Sequence, residues 1–195
     1  MTMEGMRLER RDAAGLSDIR PQLLDVYAEI YAARLSEEFH SVERFDERLN
    51  WNTEVPGFAA VVAYLDDTAV GYAYGCALQA TTRWWRGLRT PVPPDATAET
   101  GVRTFALSEL MVVERLRGTG AARRIHDALL RDRSEDRVTL LVEREHPKVR
   151  GLYEAWGYEW FGEVLPFADA PLYDALILRI GSGRHDRRNL SSDSD

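Results

Sequence analysis

The stretch Arg117-Gly-Thr-Gly-Ala-Ala122 has the residue types of an anion site. An apolar run, Thr104 to Val113, enters it with strand character. A helical pattern from Gly120 to Arg131 leaves it, with Ala122, Ile125 and Leu129 on one face. Glycine lets the backbone turn sharply and come close to a ligand. The first turn of a helix has N–H groups without intrahelical acceptors and a partial positive charge. That combination suits a pyrophosphate. Arg117, Arg123 and Arg124 add full positive charges, and Ala121 and Ala122 leave the helix start unobstructed. No Gly-Lys-Ser/Thr follows, which excludes a Walker loop, and the third glycine of the dinucleotide fingerprint is missing. By itself a Gly-x-Gly before a helix also reads as a plain turn.

The elements that must position this turn are legible on both sides of it. Met6 to Arg10 reads as a short first strand. Leu16 to Leu35 carries apolar residues at helical spacing, with Pro21 near its start, where proline is tolerated. Ser41 is placed to cap a second helix through Leu49. Phe58 to Leu65 reads as a strand, Asp66-Asp67-Thr68 as a turn, and Ala69 to Gln79 as a strand of period two. In that strand Val70, Tyr72, Tyr74, Cys76 and Leu78 point one way and only Ala and Gly the other. A face stripped to small residues packs closely under a helix or makes room for a ligand. Ala80 to Gly101, with Trp84-Trp85 and three prolines, is a long loop of the kind that often serves function. Val138 to Val142 is a strand, and Pro147 to Trp156 a helix ended by Gly157. Tyr158 to Gly162 and Leu172 to Ile180 are the last strands. The expected fold is α/β: one domain over residues 1–180, with a mixed central sheet and parallel crossovers in the second half. Residues 181–195, rich in Ser, Asp and Arg, read as a disordered tail.

Composition narrows the function. The 195-residue chain has 45% apolar residues, enough for a core, and a net charge of −7, which disfavours nonspecific nucleic-acid binding. That charge is compatible with a cationic acceptor such as an amine. No apolar run approaches the roughly 18 residues needed to cross a bilayer, and the N-terminus has no signal-peptide core, so the expected compartment is the cytoplasm. The single cysteine, Cys76, reads as a small buried residue rather than a nucleophile, and no Cys cluster offers a metal site.

Two motifs together carry a family resemblance. Arg117-Gly-Thr-Gly-Ala-Ala122 is similar to the Arg/Gln-x-x-Gly-x-Gly/Ala signature of the GNAT superfamily of N-acetyltransferases. Downstream, His146-Pro-Lys-Val-Arg-Gly-Leu-Tyr-Glu-Ala-Trp-Gly-Tyr158 resembles that family's Asn-x-x-Ala-x-x-x-Tyr-x-x-x-Gly-Phe segment, with His146 in place of the usual asparagine. The resemblance is good over about residues 58 to 162 and looser at both ends. It implies a GNAT-like domain of about six to seven strands and about four helices. It also implies transfer of an acetyl group from acetyl-CoA, as co-substrate and without metal, directly to a primary amine.

Carried over residue by residue, the resemblance implies that Arg117, Gly118, Thr119, Gly120, Ala121, Ala122 and His146 contact coenzyme A. Leu110, Met111 and Val112 would lie along the thioester, where a backbone N–H can stabilise an oxyanion. Tyr153 matches the motif tyrosine and would protonate the leaving thiolate. Glu109, a carboxylate in an apolar strand beside those positions, is the candidate base, since burial raises a carboxylate pKa. A salt bridge is the competing reading for Glu109, and Glu99 and Glu143 are weaker candidate bases. Trp84 and Trp85 could wall an amine site, anchor their loop, or make a contact in a homodimer. The long loop favours a small-molecule amine over a peptide. A non-catalytic acyl-CoA-binding module is the alternative.

Overall fold

In the computed structural model, which describes residues 5–180, seven strands and five α-helices are laid out in order. They are β1 (Arg7–Arg11), α1 (Ala13–Ser17), α2 (Arg20–Ile30), α3 (Val42–Thr53), β2 (Ala59–Leu65), β3 (Thr68–Ala77), β4 (Thr104–Val112), α4 (Ala121–Leu130), β5 (Arg137–Glu143), α5 (Pro147–Ala155), β6 (Glu159–Val164) and β7 (Tyr173–Arg179). The expected tail, 181–195, lies outside the described residues.

The first helical stretch is two helices rather than one. Asp12 caps α1 by accepting from the Gly15 N–H at 2.8 Å. Pro21 then sits in the first turn of α2, where its fixed φ and missing N–H restart the helix instead of continuing it. Ser41 caps α3, accepting from the Arg44 N–H at 3.1 Å. This helix runs on past Leu49 to Thr53 and buries Phe45 and Leu49.

The sheet order is β1-β2-β3-β4-β5-β7-β6. Neighbours are antiparallel except β4 and β5, which run parallel and pair only over Thr104–Ala106 with Arg137–Thr139. The second parallel pair expected from the helix–strand alternation does not form. β7 enters between β5 and β6 and pairs antiparallel with both, so its buried Ala175 and Leu176 have partners on two sides.

The small-residue face of β3 reflects close approach. A Cβ on Gly71 would lie 2.6 Å from the Met111 carbonyl oxygen and 3.2 Å from Ile125 of α4. On the other face Tyr72 and Tyr74 stack at 6.1 Å, and Tyr27 of α2 stacks on Phe45 of α3 at 4.0 Å. The core therefore sits between α2–α3 and the sheet on one side and between α4 and the sheet on the other.

Residues 87–90 of the long loop cover the C-terminal end of the outer edge of β6. Leu88 bridges to Val164, the Arg89 N–H donates to Glu163 O at 2.8 Å, and the Leu165 N–H donates to Gly87 O at 3.0 Å. Among the described residues no helix is long and apolar enough to cross a membrane.

Two buried histidines set an acid limit on stability. His126 is held between Asp127 (Nδ1–Oδ1 2.9 Å) and the Tyr158 hydroxyl (2.9 Å from Nε2), and His40 stacks on Tyr31 at 4.9 Å. Burial lowers the pKa of both. A histidine whose folded pKa is depressed stays neutral while the unfolded chain protonates, so stability falls as pH drops through about 6.5 and below. A pH series of thermal melts on the wild type and His126→Gln isolates this contribution: the melting temperature of the variant relative to the wild type should rise between pH 7 and pH 5.

Candidate active site

The site arises where β4 and β5 separate. Beyond Ala106 and Thr139 the two strands no longer pair, and a cavity of about 1070 Å³ opens beside them. Its wall includes Leu107–Leu110 of β4, Leu140–Glu143 of β5, and residues of α3 and α5. The Val113 N–H donates to Val70 O of β3 at 3.0 Å. N–H directions alternate along a strand, so Met111 also points its N–H toward β3. The N–H groups of Leu110 and Val112 then face the open edge.

β4 carries a bulge just before this edge. The register with β3 jumps from Tyr74↔Glu109 to Gly75↔Leu107, leaving Ser108 as the extra residue. The Ser108 hydroxyl donates to Asn52 Oδ1 of α3 at 2.6 Å, which pins the bulge. Bulges re-aim neighbouring side chains, and Glu109, next to this one, lines the cavity.

Glu109, Leu110, Tyr153, His146 and Trp84 share the cavity wall. Burial pushes the Glu109 carboxyl up to about 7; Arg48 pulls it down and Glu143 pushes it further up. Tyr153 on α5 packs edge-on to Trp156 (5.3 Å) and Tyr158 (5.5 Å). Burial, and then the Glu109 charge, raise its pKa, so it is a neutral phenol at physiological pH. His146 holds the N-cap position of α5, but its ring makes no capping hydrogen bond and lies 3.3 Å from Glu143.

The other carboxylates are differently placed. Glu143 lines the cavity and is paired with Arg34 at 2.9 Å. Glu99 is buried at the closed end of the strand pair, where it accepts from Arg137 at 3.0 Å and from the Trp85 indole at 2.9 Å. The two tryptophans also separate. Trp84 lines the cavity, whereas Trp85 does not: it packs on Phe161 at 5.0 Å and donates to Glu99 Oε1, so it anchors the loop. Cys76 is a buried wall residue whose thiol is pushed up to about 11 by burial, which leaves it a poor nucleophile at neutral pH.

The glycine turn lies past the end of β4. Gly118 and Gly120 adopt positive φ (74° and 88°), and Gly120 is the N-cap of α4 with no side-chain cap. The first helical hydrogen bond is from the Arg124 N–H to Gly120 O at 3.1 Å, which leaves the N–H groups of Ala121 and Ala122 free of backbone acceptors among the described residues. The side chain of Thr119 is held by its own donation to Leu116 O at 2.7 Å. Arg117 is exposed, while Arg123 pairs with Asp127 at 2.8 Å. A Cβ on Gly118 would meet nothing within 4 Å, so the turn has room for a phosphate group. Met111 is buried under the Tyr72 hydroxyl (3.2 Å), and Val112 is half-buried; neither lines the cavity, so their contribution is confined to backbone. Gly120→Val should destabilise this turn by about 1–2 kcal/mol, the cost of left-handed backbone to an L-residue, read as a lower urea midpoint.

Four wall residues carry no sequence motif: Arg48 and Asn52 on α3, Tyr74 on β3, and Ser108. A signal for two of them exists. Arg48 and Asn52 follow Phe45 by three and seven residues, so they flank the buried Phe45–Leu49 stripe instead of the solvent face. No group of His, Cys, Asp and Glu among the described residues is arranged to hold a metal ion.

The family comparison agrees with this geometry. No curated protein matches the sequence. Among solved structures, an acetyltransferase from Thermus thermophilus superposes with a TM-score of 0.63 at 17% identity, covering 92% of this chain and 100% of that one. An acetyltransferase from Streptococcus agalactiae gives a TM-score of 0.62 at 13% identity, covering 91% and 99%. The PaiA N-acetyltransferase of Thermoplasma acidophilum, solved in complex with coenzyme A, gives 0.57 at 12% identity, covering 90% and 99%. These likenesses concern the fold. The model of the acetyltransferase (GNAT) family matches residues 21–158, including α3, the bulged β4, the glycine turn and Tyr153. The chain belongs to the acetyltransferase (GNAT) family.

Proposed function

We propose that this acetyltransferase moves the acetyl group of acetyl-CoA to a primary amine of a small molecule, by direct attack in a ternary complex. The observation that carries the reading is the placement of Glu109 and Tyr153 on one cavity beside the unpaired edge of β4. Acetyl-CoA supplies an activated acyl group as a thioester. The turn Arg117–Ala122 would hold its phosphates, the edge Leu110–Val112 its extended arm, and His146 would flank it.

Each residue then has a defined task. A carboxyl that titrates near 7 can take the proton of an incoming ammonium around neutral pH, directly or through water. Holding the freed amine beside the acyl group is worth roughly 7–11 kcal/mol of barrier. The Leu110 N–H faces the open edge and can donate to an oxygen gaining negative charge. Tyr153 retains its proton at neutral pH and can give it to a departing thiolate. Trp84 and the segment around it line the cavity, which supports a compact acceptor over a protein chain.

A thiol-release assay with acetyl-CoA and a broad panel of amines tests this. Release should depend on an amine, and Tyr153→Phe should lower kcat roughly tenfold to a hundredfold while leaving acetyl-CoA affinity within about threefold. Acetylation of peptides but of no small amine would refute the acceptor class. Acetyl-CoA binding without release for any amine or peptide would leave only a binding module.

A further inference from the structure

The cavity holds a cation and a buried donor that the transfer of an acetyl group does not use. Arg48 reaches the cavity from α3 with its guanidinium over the Phe39 ring at 4.4 Å. Its Nη1 donates to two backbone carbonyls, Phe39 O at 2.8 Å and Arg44 O at 3.3 Å, and it forms no ion pair among the described residues. On the same cavity wall, the Tyr74 hydroxyl is buried and has no hydrogen-bond partner among them. Tyr74 stands directly opposite Glu109 in the β3–β4 register. Burial and the Glu109 charge hold its hydroxyl protonated, so it is a donor.

An unpaired buried hydroxyl is a costly arrangement unless something else satisfies it, and the half-buried Arg48 guanidinium has donors left over beside it. One ligand group satisfies both. A carboxylate accepts from a guanidinium and from a hydroxyl, and such charge-assisted bonds are about twice as strong as neutral ones. We infer that the acceptor is an amino-carboxylate of the amino-acid type, whose amine goes to Glu109 and whose carboxylate goes to Arg48 and the Tyr74 hydroxyl. This rests on the acetyl-transfer reading and sharpens it. The aromatic wall beyond, with Tyr31, Trp51, Trp84 and Phe167, suits an apolar side chain on that acceptor.

The test compares matched amines in the thiol-release assay: phenylalanine with phenethylamine, and leucine with isoamylamine. The carboxylate-bearing member of each pair should have a KM roughly 10- to 100-fold lower than the bare amine. Tyr74→Phe keeps the ring and its stacking and removes only the hydroxyl. It should raise KM for the amino acid several-fold more than for the bare amine, with kcat for the two changing in parallel. Arg48→Gln should do the same more strongly, and Arg48→Lys should recover part of the difference. A thermal shift with acetyl-CoA monitors folding of each variant, and the wild-type comparison stands without any variant. Bare amines used as well as their amino-acid partners would overturn the inference and leave acetyl transfer intact. Equal KM changes for both members of a pair would also overturn it, by making Arg48 and Tyr74 structural. No release with any amine would overturn both.

Discussion

Glu109→Gln lowers kcat/KM about a hundredfold to ten-thousandfold, the range by which a positioned base accelerates proton transfer. The pH profile gives the sharper result. The wild-type rate should fall as pH drops through about 7, where the Glu109 carboxyl takes up a proton and can no longer act as a base. The variant should lack that limb. The same substitution should also make the protein more heat-stable at pH 8. Glu109 titrates near 4.5 when unfolded and near 7 when folded, because burial disfavours its charge. Between those values the unfolded chain releases a proton that the folded one keeps. Stability contributed by the neutral group is therefore complete below about 4.5 and lost as pH rises through 7. An inert, neutral glutamine does not carry this cost. Thermal melts of both proteins at pH 5 and pH 8 read it directly: the gap should be small at pH 5 and favour the variant at pH 8. A wild-type profile flat between pH 6 and 8 would remove Glu109 from the base role.

Glu99→Ala should destabilise the fold by about 3–5 kcal/mol, the usual cost of leaving one partner of a buried ion pair alone. Both side chains of the Glu99–Arg137 pair are nearly inaccessible, at 0% and 10% exposure. The same carboxylate oxygen also accepts from Trp85. The loss would fall at a sensitive place. Arg137 is the first residue of the short β4–β5 pairing, and its Nε donates to the Thr104 hydroxyl across that pairing at 2.7 Å. Urea unfolding should show a lower midpoint with an unchanged slope. The double change Glu99→Leu with Arg137→Met should recover much of the loss, since well-packed apolar residues often match a buried pair.

The glycine turn proposed for the donor is legible in the sequence, and the residues proposed for the acceptor are not. The glycine turn stands out because a positive φ at Gly118 and Gly120 demands glycine, whatever the rest of the fold does. The period-two pattern of β3 is readable for a similar reason, since its small residues lie where Met111 and Ile125 press in. Arg48, Tyr74 and Glu109 come together only through the order of the strands and the packing of α3. Strand order leaves no trace in periodicity. The insertion of β7 between β5 and β6 is hidden on the same ground. Trp84 and Trp85 are adjacent in sequence and serve opposite purposes, one on the cavity and one on Glu99, and nothing in the dipeptide separates them.

The unpaired edge of β4 has a consequence for how such a protein can diversify. In the proposed reaction one face is drawn by main-chain atoms, from the Leu110 N–H to the turn at Gly120, and main-chain atoms are the same whatever side chains change. The other face is drawn by interchangeable side chains on α3, β3 and the segments beside them. Ser108 and Asn52 form a hydrogen-bonded seam between the two at the bulge. Provided that seam and the buried Phe45–Leu49 stripe are kept, the cavity-facing positions of α3, Arg48 and Trp51, can change with the acceptor in the proposed reaction. In the proposed reaction a main-chain half and a side-chain half thus meet along a single strand.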